Sequence, residues 1–151
     1  WSQTAEMFSD QISAFSATHR VIAVDMRGHG DSSKPAHGYR MARLAKDLNE
    51  FLSGMNLSKV TLVGHSMGCS VIWSHWDQYG SHNTHSMIII DQAPCTTFGP
   101  GWTDAEKAET GAVFSPQSLY DTTAALAGID GEVTTTALVN GMCLTKNFPE
   151  S

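Results

Sequence analysis

Lys59-Val60-Thr61-Leu62-Val63-Gly64-His65-Ser66-Met67-Gly68 is the stretch that decides the fold. A β-branched apolar run ends in G-x-S-x-G, and the residues that follow, Met67 to about Tyr79, read as a helix closed by Gly80. Between a strand and a helix, this pattern becomes a nucleophile elbow. With 13 glycines in 151 residues the bare pattern is weak, and its position gives it meaning. The corner imposes strained backbone angles on the serine and leaves little room for side chains two residues before and two after it, where Gly64 and Gly68 stand. The helix start aims its N–H groups at the serine, so the Met67 amide is read as a donor to an oxyanion. The competing reading is a glycine-flanked turn that serves only close packing of helix on strand.

Outward from the elbow, helix and strand patterns alternate. Ala5, Phe8, Ile12 and Phe15 step at helical spacing, with Thr4 or Ser2 as a cap. Arg20-Val21-Ile22-Ala23-Val24-Asp25 reads as a buried strand that runs into a loop at Gly28, Gly30 and Pro35. Met41, Leu44, Leu48, Phe51 and Leu52 mark a second amphipathic helix, with Arg43, Lys46, Asp47 and Glu50 opposite and Gly54 as its stop. Met87-Ile88-Ile89-Ile90 is a third strand, ending at Asp91. Apolar strands separated by amphipathic helices predict an α/β fold with a partial, parallel, doubly wound sheet covered on both faces. After Pro94 the Val/Ile runs stop, and helix-compatible stretches at 103–113, 116–127 and 132–142 predict a helical lid. The expected organisation is a partial core over 1–95 and a lid over 96–151.

Charge and composition narrow the function. Residues 1–95 hold seven basic and eight acidic side chains and residues 96–151 hold two and seven, within a net charge of −6. Nucleic acid is therefore not expected as a partner, because a phosphate backbone is bound through clustered Lys and Arg. No apolar run approaches the roughly 18 residues of a membrane span. Cys69, Cys95 and Cys143 form no C-x-x-C pair, so neither a disulfide framework nor a zinc site is expected, and the usage fits a reducing compartment such as the cytoplasm. His82-x-x-His85 has no third ligand in view, and no metal or cofactor is called for. Cys69 reads as a buried small hydrophobe, and His29 and His37 as solvated loop residues.

Three segments together resemble the α/β-hydrolase fold superfamily, and most closely its branch of serine esterases, haloperoxidase-like perhydrolases and lactonases. Gly64-His65-Ser66-Met67-Gly68 is one; Asp25-Met26-Arg27-Gly28-His29-Gly30-Asp31-Ser32 resembles the branch's D-x-R-G-x-G-x-S loop; Asp91-Gln92-Ala93-Pro94 resembles its strand-end motif before the lid. The resemblance covers residues 1 to about 95. Epoxide hydrolases and haloalkane dehalogenases share the first loop but carry Asp as nucleophile, so Ser66 argues for acyl chemistry on a small ester, thioester or lactone.

The resemblance implies a Ser-acid-His mechanism with Ser66 as nucleophile and an oxyanion hole made by the Met67 N–H and one from the loop before the first helix, for which Trp1 is the candidate. It also implies a base near the C-terminus, after the last strand. The histidines are His19, His29, His37, His65, His75, His82 and His85, and none follows. The chain opens at Trp1 without an initiator Met. Both facts lead to the expectation of an internal portion of a longer hydrolase, with acid and base outside it and little turnover of its own. Asp91 is read as a structural strand-end residue, with the catalytic acid as its alternative. Arg27, Gly28 and Gly30 are expected to shape the loop, with Arg27 pairing to Asp25 or Asp31. A non-catalytic binding relative, and perhydrolase or C–C bond hydrolase chemistry with the same serine, remain as alternatives.

Overall fold

The computed structural model describes residues 3–93 and 95–128. Its described residues fall into two compact units that part between Gln92 and Ala93. The first unit holds a 3-10 turn at Ala5–Phe8, α1 (Ser9–Phe15), α2 (Met41–Gly54), β1 (Val60–His65), α3 (Met67–Tyr79) and β2 (Thr84–Ile90). The second holds α4 (Asp104–Thr110) and α5 (Pro116–Leu126).

β1 and β2 pair in parallel, with Leu62 opposite Met87, Val63 opposite Ile88 and His65 opposite Ile90. Parallel neighbours cannot be joined by a hairpin, and α3 is the crossover that connects them. Side chains alternate along each strand. Leu62 and Met87 therefore turn to one face, where they join Leu52 of α2 and Ile72 of α3 in the core, with Leu48, Phe51, Leu57 and Val60 packed around them. The helical periodicity of α2 places Leu44, Ala45 and Leu52 inside. Truncating Ile72, which is 4% exposed, to alanine would cost about 2–5 kcal/mol. Among the described residues this sheet is covered at mid-strand on that face only: Val63 and Ile88, on the other, are 48% and 49% exposed.

One expected strand does not form. Arg20–Asp25 belongs to no ladder, and Val21, Ile22 and Val24 stay exposed. A strand exists through its hydrogen-bonded neighbour, and the described sheet contains β1 and β2 alone. The expected helix over residues 5–15 begins instead as a 3-10 turn, with Thr4 at its N-cap making no side-chain cap bond.

In the second unit, helices occupy parts of two predicted stretches, and the third, 132–142, lies outside the described residues. Both helix starts are capped reciprocally. Thr103 Oγ1 accepts from the Glu106 N–H while Glu106 Oε2 accepts from the Thr103 N–H, and Ser115 and Ser118 do the same on either side of Pro116. No helix among the described residues is long and apolar enough to cross a membrane.

Candidate active site

The last residue of β1 and the first of α3 leave Ser66 as the single connecting residue, with φ 50° and ψ −121°. A non-glycine residue at positive φ is strained, and such strain persists where the surroundings over-determine it. Two backbone bonds do so here. The Ser66 N–H donates to the Ile90 carbonyl at 2.9 Å, and the Cys69 N–H donates to the Ser66 carbonyl at 2.9 Å. Gly64 is required by space: a Cβ there would lie 2.8 Å from the Cys69 nitrogen and 2.9 Å from the Gly68 carbonyl carbon. Gly68 is not, because among the described residues a Cβ at that position meets nothing within 4 Å. The closeness expected on both sides of the serine holds on the strand side alone, where the helix start folds back over Gly64.

Met67 is the first residue of α3, so its N–H is one of the amides at a helix start with no partner inside the helix. Amides at a helix start attract negative charge. Trp1 lies outside the described residues. Cys69, fully buried, donates its Sγ–H to the Gly64 carbonyl at 3.1 Å and the Ile90 carbonyl at 3.4 Å. Burial pushes its thiol pKa up, and the nearby Asp91 charge adds to that. It is a packing residue of the elbow. Asp91 follows β2 as Ser66 follows β1, also at positive φ, 52°. Its side chain is exposed.

The glycine-rich loop is built differently from the expectation. Arg27 pairs with neither Asp25 nor Asp31. Its Nε and one terminal nitrogen donate to the two carboxylate oxygens of Asp47, both at 2.7 Å, and Arg43 adds a third contact to Asp47 at 2.6 Å. The Arg27 bonds hold the Asp47 carboxyl below its usual pKa. A bidentate guanidinium–carboxylate pair fixes geometry as well as charge, and this one ties the loop to α2. Asp25 instead accepts two backbone N–H groups, from Ala5 at 2.7 Å and Asp31 at 3.0 Å, while its carbonyl accepts the Ser32 hydroxyl at 2.7 Å. The Asp31 bond first, and then the Ala5 bond, lower its pKa. Gly30 sits against the Asp25 carboxylate, where no side chain fits. His29 is half-buried rather than solvated, its Nδ1 3.0 Å from the Arg27 carbonyl oxygen, whereas His37 is exposed.

All seven histidines lie among the described residues, and none hydrogen-bonds to the Ser66 hydroxyl. His75 is buried in α3, both its ring nitrogens without a hydrogen-bond partner among the described residues, its ring tilted against Tyr79 at 5.4 Å, and burial lowers its pKa. Among the described residues no group of three or more His, Cys, Asp or Glu could hold a metal ion. Sequence reasoning missed the Arg27–Asp47 pair and the Asp25 clamp on Ala5. Both join residues 20 apart, and no local pattern marks them.

A family model for the alpha/beta hydrolase fold matches residues 1–148. The chain belongs to that family. This α/β-hydrolase is 35% identical over 95 residues to non-heme chloroperoxidase CPO-A1 of Kitasatospora aureofaciens, covering 62% of this chain and 34% of that one. It is 38% identical over 98 residues to the soluble epoxide hydrolase of Corynebacterium sp. strain C12, covering 62% and 32%. The esterase EaEST from Exiguobacterium antarcticum matches with a TM-score of 0.75 at 26% identity, over 93% of this chain and 48% of that chain. The bromoperoxidase from Bacillus anthracis shares the fold, with a TM-score of 0.73 at 24% identity, over 88% and 46%. The α/β-hydrolase described here thus spans about a third of the length of these curated relatives and about half of these solved chains.

Proposed function

We propose that Ser66 is the nucleophile of a serine hydrolase acting on small carboxylic esters, thioesters or lactones. The observation that carries this reading is the strained backbone of Ser66 at the β1–α3 corner, held by the Ile90 carbonyl and backed by a glycine for which no larger residue fits. Ser66 Oγ attacks the carbonyl carbon, the carbonyl electrons move to oxygen beside the Met67 N–H, and collapse breaks the ester C–O bond. The hydroxyl proton passes to a base and on to the leaving alkoxide, and water then cleaves the acyl-serine. The same serine with peroxide in place of water would give perhydrolase chemistry, a second reading favoured by the similarity to the chloroperoxidase CPO-A1.

A fluorophosphonate probe, applied with free imidazole as an added base, tests the nucleophile. Phosphonylation at Ser66, found by peptide mass spectrometry and lost in Ser66→Ala, is expected. Labelling elsewhere, or none above the Ser66→Ala background, overturns the reading in favour of a fold used only for binding.

A further inference from the structure

Cys69 is the third residue of α3 and is fully buried. Helical side chains lean back toward the helix N-terminus, so a residue in the first turn of α3 is aimed at the strand ends beneath the corner. The Cys69 sulfur lies there, 3.1 Å from the Gly64 carbonyl oxygen and 3.4 Å from the Ile90 carbonyl oxygen. Gly64 stands two residues before Ser66 on β1, and Ile90 ends β2. The sulfur therefore bridges the two strands where they meet the corner.

Both ends of the bridge belong to the frame of the nucleophile. The Ile90 oxygen also accepts the Ser66 N–H at 2.9 Å, and a carbonyl with two lone pairs can take the amide and the thiol together. On the helix side, the Cys69 N–H donates to the Ser66 carbonyl at 2.9 Å. Cys69 thus meets the serine twice, once through its backbone and once through the acceptor that holds the serine's amide. Burial raises the thiol pKa, and the Asp91 charge adds to that, so the hydrogen stays on sulfur at neutral pH. S–H is a weak donor and serves one carbonyl at a time, so the bridge is modest in energy. Its effect is on placement. Ser66 sits at φ 50°, and a strained residue keeps its conformation only while its anchors hold.

We propose that Cys69 is a positioning residue for Ser66, its thiol fixing the Gly64 and Ile90 carbonyls on either side of the serine. The proposal rests on Ser66 as nucleophile and adds the group that steadies its corner. A role in packing alone predicts a different response to substitution. Alanine removes both the sulfur and the donor. Serine keeps a donor but fills less space than cysteine, so packing gives it no advantage in restoring the site.

The experiment is the rate of Ser66 phosphonylation by the fluorophosphonate probe with free imidazole, followed by peptide mass spectrometry on the whole chain. Cys69→Ala is expected to label at least roughly threefold more slowly than the parent, as loss of one modest hydrogen bond does, and Cys69→Ser to recover most of that loss. A Cys69→Ala rate equal to the parent's, or a Cys69→Ser rate no faster than that of Cys69→Ala, overturns the proposal and leaves the nucleophile standing. No labelling of the parent above the Ser66→Ala background overturns the nucleophile and the positioning role with it. If circular dichroism shows that either Cys69 variant does not fold, the infrared S–H stretching band carries the test, with Cys95→Ser and Cys143→Ser leaving Cys69 as the sole thiol. That band is expected at lower frequency than the band of an alkanethiol in hexane, which offers no acceptor. A band at the unbonded frequency overturns the bridge.

Discussion

The Ser66 amide donates to the Ile90 carbonyl at 2.9 Å, so the last carbonyl of β2 holds the turn that follows β1. This bond extends the parallel ladder one residue past the strand and keeps Ser66 at φ 50°. Glycine occupies that region without strain. Ser66→Gly is therefore expected to raise stability by about 1 kcal/mol in urea denaturation while abolishing acylation. A loss of stability would mean that the serine side chain, rather than the ladder, holds the corner.

The two glycines of the motif are expected to part in opposite directions. Gly64→Ala places a Cβ 2.8 Å from the Cys69 nitrogen and should destabilise by about 1–3 kcal/mol, since backbone cannot step aside. Gly68→Ala meets nothing within 4 Å inside α3 and should stabilise by about 0.5–1 kcal/mol. Denaturation midpoints of the two variants measured side by side decide this. Equal losses would show that the helix side of the elbow is as tight as the strand side.

His75 makes stability depend on pH. Its folded pKa lies below the ordinary histidine value of about 6.5 because burial disfavours the imidazolium, so the unfolded chain binds more protons as pH falls. Full stability is expected above the unfolded value, declining below about pH 6.5 until the folded pKa is passed. His75→Phe keeps a ring against Tyr79 and removes the proton site. The variant should lose less stability than the parent between pH 7.5 and pH 5, and identical declines would assign the acid sensitivity to other groups.

Turnover should be slow, since none of the seven histidines bonds to Ser66. Loss of the base from a serine triad lowers kcat by on the order of 10⁶-fold, the remainder coming from binding and the oxyanion donors. Free imidazole offers a replacement base. Ester hydrolysis above the imidazole background is expected to rise with imidazole concentration in the parent and not in Ser66→Ala. Ordinary enzymatic rates without imidazole, abolished by Ser66→Ala, would show that a histidine of this chain reaches the serine.

The legible parts of the molecule are those whose signal is local. α2 could be placed because Leu44, Leu48 and Leu52 repeat within its own turns, and α3 because Gly64 to Gly68 mark its start and Gly80 its end. Arg20–Asp25 has the same β-branched texture as Val60–Val63, yet among the described residues only the latter has a ladder partner. Composition reports how well a segment would suit a sheet, not whether a neighbour stands beside it.

For the site the division is similar. The family, the nucleophile candidate and its place at a strand-to-helix corner follow from the order of residues along the chain, because an elbow is built from five consecutive residues. The partner of Arg27, the anchoring of Ala5 by Asp25 and the half-burial of His29 were decided by the tertiary structure. Each depends on which of several compatible carboxylates, backbone groups or apolar side chains the packing of separate elements brings within about 3 Å, and pairings of that kind leave no periodic trace in sequence.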